Sequence, residues 1–529
     1  MSAATGSLSN FGVSVPAAMA APKTEPLDAA AVLKADPRIG RILRGYEQFE
    51  RKSRLAARVM ERVAKDSGEV LGRASDARTS GLLIPLAWWL AHAGLGCSEA
   101  GVSTSAKQHD ATAPFADASS PKGSFCSLPG SVVYTSQGAV VMPGVETEAS
   151  TPDLSQWLHL PVGFCAHYFA TVKTARQLRF APGGELFVAS SRTSTTGGAN
   201  DGVSNIVVLP DDDHDGYADS NNILFEPQLT LPSVQGLMFT GGYFYYQNDA
   251  KIMRVAYKAG DRQSSRPEEL VTDMSNWPQA REHWPKVFDV GQDGTIYITN
   301  GGSQSDHCLS SWPVRGGVFK LNPDGTTTLV ATGLRNPIAI RCERDHDVCL
   351  VCELALDYSY APDFGREKLV PVREGDNWGY PCCATQGTPY MSVKYMDTGE
   401  APDCSNVPVE SDAFYLSHTP FGVDFEPGRW PAPWTHRVFV TVHGVVGSWI
   451  GARVVGIAMD TTTGLPLWAS ELDGGGDDNM LDFATGWDDG TLQHGRPAPI
   501  AFAPDGRMFL GDDQRGAVIW IAPSNLMIP

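Results

Sequence analysis

Charge is scarce in this sequence, and basic charge scarcer still. Only 19% of the 529 residues are Asp, Glu, Lys or Arg, and 41 Lys/Arg against 60 Asp/Glu give a formal net charge of -19. A general nucleic-acid binder needs a cationic footprint that this balance does not supply. The main apolar run, Gly81 to Cys97, falls short of the roughly 20 residues that a membrane-spanning helix requires. There is no G-x-S-x-G, Walker loop or dinucleotide fingerprint, so three common enzyme classes lose their signatures. Cys349-Leu-Val-Cys352 is a lone CxxC in a strand-like run, where its two side chains point to opposite faces, which argues against zinc. Turn-formers, by contrast, are plentiful: 54 Gly and 37 Pro, with 42% hydrophobic residues. That combination buries a large core built from many short strands and argues against a helical bundle.

The chain reads as unlike parts. Residues 1–80 carry 13 Lys/Arg and 9 Asp/Glu, whereas the remaining residues carry 28 and 51. Residues 1–27 are small and polar and read as disordered. Ile39, Ile42, Leu43, Tyr46 and Phe49, then Leu55, Val59 and Val63, recur at helical spacing among basic residues and predict exposed amphipathic helices. Residues 81–97 follow Arg73 and Arg78 with an apolar run ending Gly94-Leu-Gly-Cys97, the pattern of a secretory signal with a lipoprotein-like box and a lipid anchor at Cys97. Residues 98–156 form a Ser/Ala/Pro-rich tether and lead-in. The expectation is an exported protein, periplasmic or a lipoprotein of the outer membrane or cell surface. Ten cysteines support it: Cys342 and Cys349 flank a turn that sets them opposite each other, and Cys382 or Cys383 with Cys404 closes a loop.

From 157 to 523 one phrase recurs: an apolar strand, a Pro/Asp/Gly turn, and a second apolar strand ending in small or polar residues. Leu178-RFAPGGELFVASS, Phe288-DVGQDGTIYITNGG and Ile500-AFAPDGRMFLGDD are clear copies. Leu237-MFTGGYFYYQND, Ile338-AIRCERDHDVCLVCE and Val423-DFEPGRWPAPWTHRVFVTVHG are weaker ones. Their spacing predicts an all-β, six-bladed β-propeller, because a small sheet cannot bury both faces alone and radial stacking buries them against neighbours. The polar residues after these strands converge on one face, where a site is expected. Residues 524–529 read as a tail.

Within this region the chain resembles the pyrroloquinoline quinone (PQQ)-dependent soluble sugar dehydrogenases, the glucose/sorbosone dehydrogenase family, over roughly two thirds of its length. The ordered motifs are Gly163-Phe-Cys-Ala-His-Tyr-Phe-Ala, Ala175-Arg-Gln-Leu-Arg-Phe, His283-Trp-Pro-Lys-Val-Phe, Gly333-Leu-Arg-Asn-Pro337, Gly375-Asp-Asn-Trp-Gly-Tyr-Pro381 and Gly495-Arg-Pro. The resemblance implies an oxidoreductase that transfers hydride from an aldose or related sugar or aldehyde to PQQ, supported by Ca²⁺ and an external electron acceptor. It makes His283 the catalytic base, a role an imidazole suits because its pKa lies near the working pH. It assigns PQQ to Arg335, Asn336 and Arg496, with Lys286 near the quinone and Trp378 and Tyr380 flanking the ring. Guanidinium and amide donors answer the cofactor's three carboxylates. His443 and Arg453 are looser candidates. Where the family carries an acidic Asp-Glu-Leu-Asn-like run, this chain reads Arg366-Glu-Lys-Leu-Val370, with one carboxylate, and Glu353-Leu-Ala-Leu-Asp357 lacks the usual Gly and Gln types. A non-catalytic propeller binding carbohydrate or protein, or a calcium-dependent lactonase-type hydrolase, are the alternatives.

A second motif stands apart. Asp211, Asp213, Asp215 and Asp219, with Gly216, form a D-x-D-x-D-G-x-x-D loop whose alternating carboxylates suit Ca²⁺. Asn222 occupies the position where an EF-hand has Glu, so the expected ion would be structural.

Overall fold

The recurring phrase folds as a hairpin each time, and three of its turns close identically with the turn that joins the two outer strands of the third blade. In Ala181–Glu185, Gly291–Thr295, Asn322–Thr326 and Ala503–Arg507 the first N–H donates to the fifth carbonyl, and the glycine N–H donates to the first. The glycines hold φ between +81° and +100°, which only glycine adopts without strain. Three of the turns carry Asp before that glycine, and its carboxylate accepts the N–H two residues on.

The computed structural model describes residues 123–144, 153–191, 204–225, 231–264, 266–277, 283–302, 316–343, 345–355, 366–385, 389–391, 403–408, 412–415, 418–444, 450–467, 479–488 and 493–529. The amphipathic segment, the apolar segment 81–97 with Cys97, and most of the tether lie outside the described residues. Among the described residues there is no α-helix, and no helix long and apolar enough to cross a membrane.

Three strands come first in the chain: β1 (Val132–Thr135), β2 (Gly138–Val141) and β3 (Phe164–Thr171). The first blade is β4 (Ala175–Phe180), β5 (Leu186–Ser190), β6 (Asn205–Leu209) and β7 (Ile223–Leu224). The second is β8 (Leu237–Thr240), β9 (Tyr243–Asn248), β10 (Lys251–Ala256) and β11 (Glu269–Asp273). The third is β12 (Phe288–Val290), β13 (Ile296–Asn300), β14 (Gly317–Leu321) and β15 (Thr327–Thr332). The fourth holds β16 (Asn336–Cys342), β17 (Cys349–Leu354), β18 (Glu367–Pro371) and, after a β19–β20 hairpin (Cys383–Thr385, Pro389–Met391), β21 (Asp412–Phe414). The fifth is β22 (Pro420–Phe425), β23 (Arg437–Val442), β24 (Arg453–Ala458) and β25 (Met480–Ala484). The strands within each blade pair antiparallel, and the six phrases are the inner hairpins of six blades.

The sixth sheet closes the ring. Its inner strands are β26 (Pro497–Phe502), β27 (Met508–Asp512) and β28 (Ala517–Pro523), and β3, from the other end of the fold, pairs with β28 from Phe164↔Pro523 to Thr171↔Ala517. Strands β1 and β2 extend this sheet outward. Sheet and seam therefore take in parts of the segments read as lead-in and tail. Cys126 is bonded to Cys165, Phe125 packs edge-on to Trp520, and the Phe125 N–H donates to Leu526 O at 3.2 Å. Cys342–Cys349 and Cys383–Cys404 are also bonded, and Cys352 is a buried free thiol, which closes the zinc reading.

Aromatic and aliphatic clusters fill the spaces between blades, as where Phe187 of β5 meets Phe244 of β9. The inner strands converge on the axis, and charge fills part of the channel. Asp289 accepts Arg179 and Arg341, each at 3.3 Å, and Arg341 Nε donates to Asp424 at 2.6 Å, linking four blades. Buried carboxylates and guanidiniums are tolerable there because each finds a partner.

Candidate active site

Each innermost strand begins, and each second strand ends, at one rim of the ring, and this rim is where the buried polar residues gather. Gln235 and Gln247, His283, Lys286 and Asn300, Arg335, Asn336 and Glu353, Thr419 and His443, and Asp513 are all buried there. The strand-end polarity in the sequence marked this class of residue, but only the ring shows which of them meet.

His283 and Arg335 do meet, and Asn336 follows Arg335 in the chain. His283 Nδ1 lies 2.6 Å from Gly302 O, and the Gly302 N–H donates to Arg335 O at 2.7 Å. A carbonyl can only accept, so Nδ1 carries the proton of the neutral imidazole and Nε2 keeps its lone pair. Burial pushes the His283 pKa down to about 3, and the Arg335 and Lys286 charges push the same way, against the Gly302 hydrogen bond. The approach is tight: a Cβ on Gly301 would fall 2.6 Å from His283 Cβ and 3.5 Å from Arg335 O. Arg335 is fixed through its N–H on Glu353 Oε1 (3.0 Å) and Nη1 on Ala355 O (2.7 Å). Asn336 opens β16 opposite Leu354. Glu353 was not singled out from sequence, although it ends its strand where polar residues were expected.

Lys286 lies one turn of chain from His283 and is fully buried. Its Nζ donates to Trp284 O at 3.0 Å, and burial lowers its pKa to about 7, with Asp249 opposing. Gln247 braces the segment by accepting the Lys286 N–H at 3.2 Å and donating to Trp284 O at 3.1 Å.

The remaining assignments scatter. Arg496 grips Asp513 with two hydrogen bonds of 2.7 and 2.8 Å, and Arg176 (3.3 Å) and His443 (3.3 Å) approach the same carboxylate. The side chain expected to hold an external carboxylate is thus engaged by an internal one. Burial opposes ionisation of Asp513, but His443, Arg176 and Arg496 hold it far below the usual range, while its neighbour Asp512 is pushed up to about 7 by burial. Arg453 opens the third strand of its blade opposite Val442 and is bonded to Asp482 and Gly451 O. Trp378 is not a stacking platform. It is fully buried with Val287, Leu334 and Ile340, because its segment runs between the third and fourth blades and bonds to Thr332. Tyr380 emerges from that segment and lines a cavity of about 230 Å³ with Thr332, Asn377 and Asp403. The cavity adjoins the turn that delivers Arg335: the Tyr380 N–H donates to Gly333 O, and any Cβ on Gly333 would strike Asn377 Oδ1.

The acidic loop joins β6 to β7 at the opposite end of the ring, since β6 runs away from the rim that bears Ser190. Carboxylate oxygens of Asp211, Asp213 and Asp215 lie within 4.8 Å of one another. Asp219 does not join them, because its Oδ2 is used to accept the Asp212 N–H at 2.7 Å and close the loop.

Residues 151–353 match a family described as a domain of unknown function (DUF7133). No curated protein matches the chain. Among solved structures it is similar to a carbohydrate-active enzyme of family AA12 from Trichoderma reesei in its calcium structure. That likeness has 15% identity and a TM-score of 0.57, and covers 72% of this chain and 99% of the other. It is also similar to the holo form of the pyranose dehydrogenase PQQ domain from Coprinopsis cinerea, with 14% identity and a TM-score of 0.54, covering 70% of this chain and 98% of that domain. At these identities the likeness establishes the fold.

Proposed function

We propose that this chain is an exported quinoprotein oxidoreductase that oxidises an aldose or related sugar or aldehyde, with PQQ as its acceptor. The observation that carries this reading is a neutral imidazole, oriented by the Gly302 carbonyl and close enough to Arg335 and Lys286 to feel their charge, at the mouth of the ring. The shared fold of the pyranose dehydrogenase PQQ domain and of the carbohydrate-active AA12 enzyme supports this reading. The disulfides support an oxidising compartment, and with it export.

The donor set fits the cofactor's chemistry. PQQ is a planar molecule with three carboxylates, which Arg335, Lys286 and the Asn336 amide answer with donors, while Glu353 accepts the Arg335 N–H. With Arg496 on Asp513, carboxylate recognition falls to Arg335 and Lys286. Glu367, the one carboxylate kept in the altered Arg366-Glu-Lys-Leu-Val370 stretch, accepts the Thr419 N–H through one of its oxygens. A bound quinone supplies the two-electron acceptor. His283 Nε2 takes the proton of the sugar hydroxyl, and its depressed pKa keeps it in the accepting form at neutral pH. The Gly302 carbonyl holds the ring in that tautomer. The Tyr380 cavity offers the sugar a ring face for its C–H surface and Thr332, Asn377 and Asp403 for its hydroxyls.

Asp289 and Asp424, carboxylates of the channel, are both held by arginine, which leaves them poor ligands for the channel calcium of a lactonase-type hydrolase. The Arg496–Asp513 pair favours the second reading, a propeller that binds carbohydrate without oxidising it.

Calorimetry with PQQ, with and without Ca²⁺, and dye reduction over a panel of aldoses separate the two. We expect quinone binding and aldose-dependent reduction, with H283A lowering kcat about 10²–10⁴-fold while the quinone still binds. Absence of quinone binding would overturn the redox reading in favour of the binding propeller.

A further inference from the structure

The acidic loop lies at the far end of the ring from His283, so its chemistry is independent of the proposed oxidation. From its geometry we infer that Asp211, Asp213 and Asp215 form a Ca²⁺ site that clasps the first blade to the sixth at the seam where the ring closes.

Three carboxylates whose oxygens lie within 4.8 Å repel one another unless a cation is shared among them. Arg507 answers only part of that charge, through Asp211 Oδ2 at 3.0 Å. The Asp211 side chain is only 9% exposed, yet its Oδ1 is buried with no hydrogen-bond partner. Buried polar atoms are nearly always satisfied, and a carboxylate oxygen left bare is among the costliest exceptions. Nδ1 of His214, in the same loop, is likewise buried without a partner. The loop thus holds an oxygen that protein donors do not satisfy, next to two carboxylates that remain open to solvent. An ion arriving from water on the Asp213 and Asp215 side meets all three.

The ion's identity follows from the ligands. A cluster of carboxylate oxygens on a short irregular loop suits Ca²⁺, whose coordination is variable, better than Mg²⁺, which demands a rigid octahedron. Gly216 stands at the sixth position with φ +96°, where such loops turn sharply. Asp219 stabilises the turn from outside the cluster.

The loop belongs to the first blade, but its anchors belong to the sixth sheet. The Trp520 Nε1–H donates to Gly216 O at 2.9 Å, and the Ala218 N–H donates to Phe169 O at 3.0 Å. Tyr217 meets the edge of His167, which stacks on Trp520 at 4.9 Å. Arg507 lies over Phe125 at 4.4 Å while holding Asp211. An ion that draws the three aspartates together therefore tightens contacts on β3, β28 and the β26–β27 turn.

Full-length protein stripped with EGTA tests the site with terbium, whose emission is excited through nearby Tyr217 and Trp520. We expect saturable Tb³⁺ luminescence that Ca²⁺ reverses, and a Tm that rises by several degrees in millimolar CaCl₂. D213N/D215N should lose both responses while keeping the circular dichroism spectrum of the parent. Any calcium bound at the opposite mouth would survive in that variant, so the difference between the two proteins reports this loop alone. Wild-type protein without Tb³⁺ emission, or a variant with the same emission and the same calcium-dependent Tm rise, would overturn the inference.

Discussion

His283 shows how much one residue's protonation state depends on its surroundings. In the fold its pKa is held at about 3 by burial, with Arg335 and Lys286 adding to the effect, whereas the unfolded chain titrates near the ordinary 6.5. Between these values the unfolded state binds a proton that the folded state does not, so this residue subtracts stability as pH falls through the window. H283Q removes the subtraction. Between about pH 7 and about pH 4 the wild type should lose more stability than H283Q, by up to a few kcal/mol at about 1.4 kcal/mol per unit. Urea unfolding of both proteins across that range measures it, and parallel profiles would mean the folded imidazole protonates as freely as an exposed one. Asp512 works in the opposite sense because its pKa is raised, which is why the comparison of two proteins, rather than either profile, isolates His283.

At the scale of elements, the strand that decides the architecture comes from the N-terminal side. Strand β3 supplies the fourth strand of the last blade, with β1 and β2 beyond it, and the Cys126–Cys165 bond ties the preceding turn to it across 39 residues. Loop closure of that size predicts that C126S/C165S lowers the unfolding free energy by about 2–4 kcal/mol, read from denaturant midpoints. An unchanged midpoint would show that the lead-in is not part of the cooperative unit. The 375–383 segment behaves differently. It runs between two blades, buries Trp378 in the space there and brings Asn377 and Tyr380 to a cavity. A Trp-Gly-Tyr motif that looks like a matched aromatic pair is thus split between packing and the lining of a cavity.

For the whole molecule, the closed ring depends on charges across its axis as well as on apolar packing between blades. Asp424 (4% exposed) is shared between Arg341 and the backbone N–H groups of Phe425 and Phe502. R341M leaves this carboxylate without its cation and should cost about 3 kcal/mol, the low end for a broken buried pair because Arg341 keeps 17% exposure. Adding D424N should restore part of the loss, and strict additivity of the two substitutions in thermal or urea unfolding would show that the pair is not coupled.

Local chemistry was legible without coordinates. The six hairpins, their Asp-Gly turns and the Cys342–Cys349 pairing each depend on residues a few positions apart, and such contacts are dictated by backbone geometry and turn preference. The polar character of the strand ends was legible for the same reason. Long-range partners were not. Only the closed ring brings His283 beside Arg335, turns Arg496 inward to Asp513, buries Trp378, diverts Asp219 to the Asp212 N–H and recruits β3 to the last blade. A sequence sets what each side chain can bond to. Which of several chemically suitable partners it receives is decided by the packing of chain segments tens to hundreds of residues apart, where a buried charge must take whatever counter-charge the fold delivers.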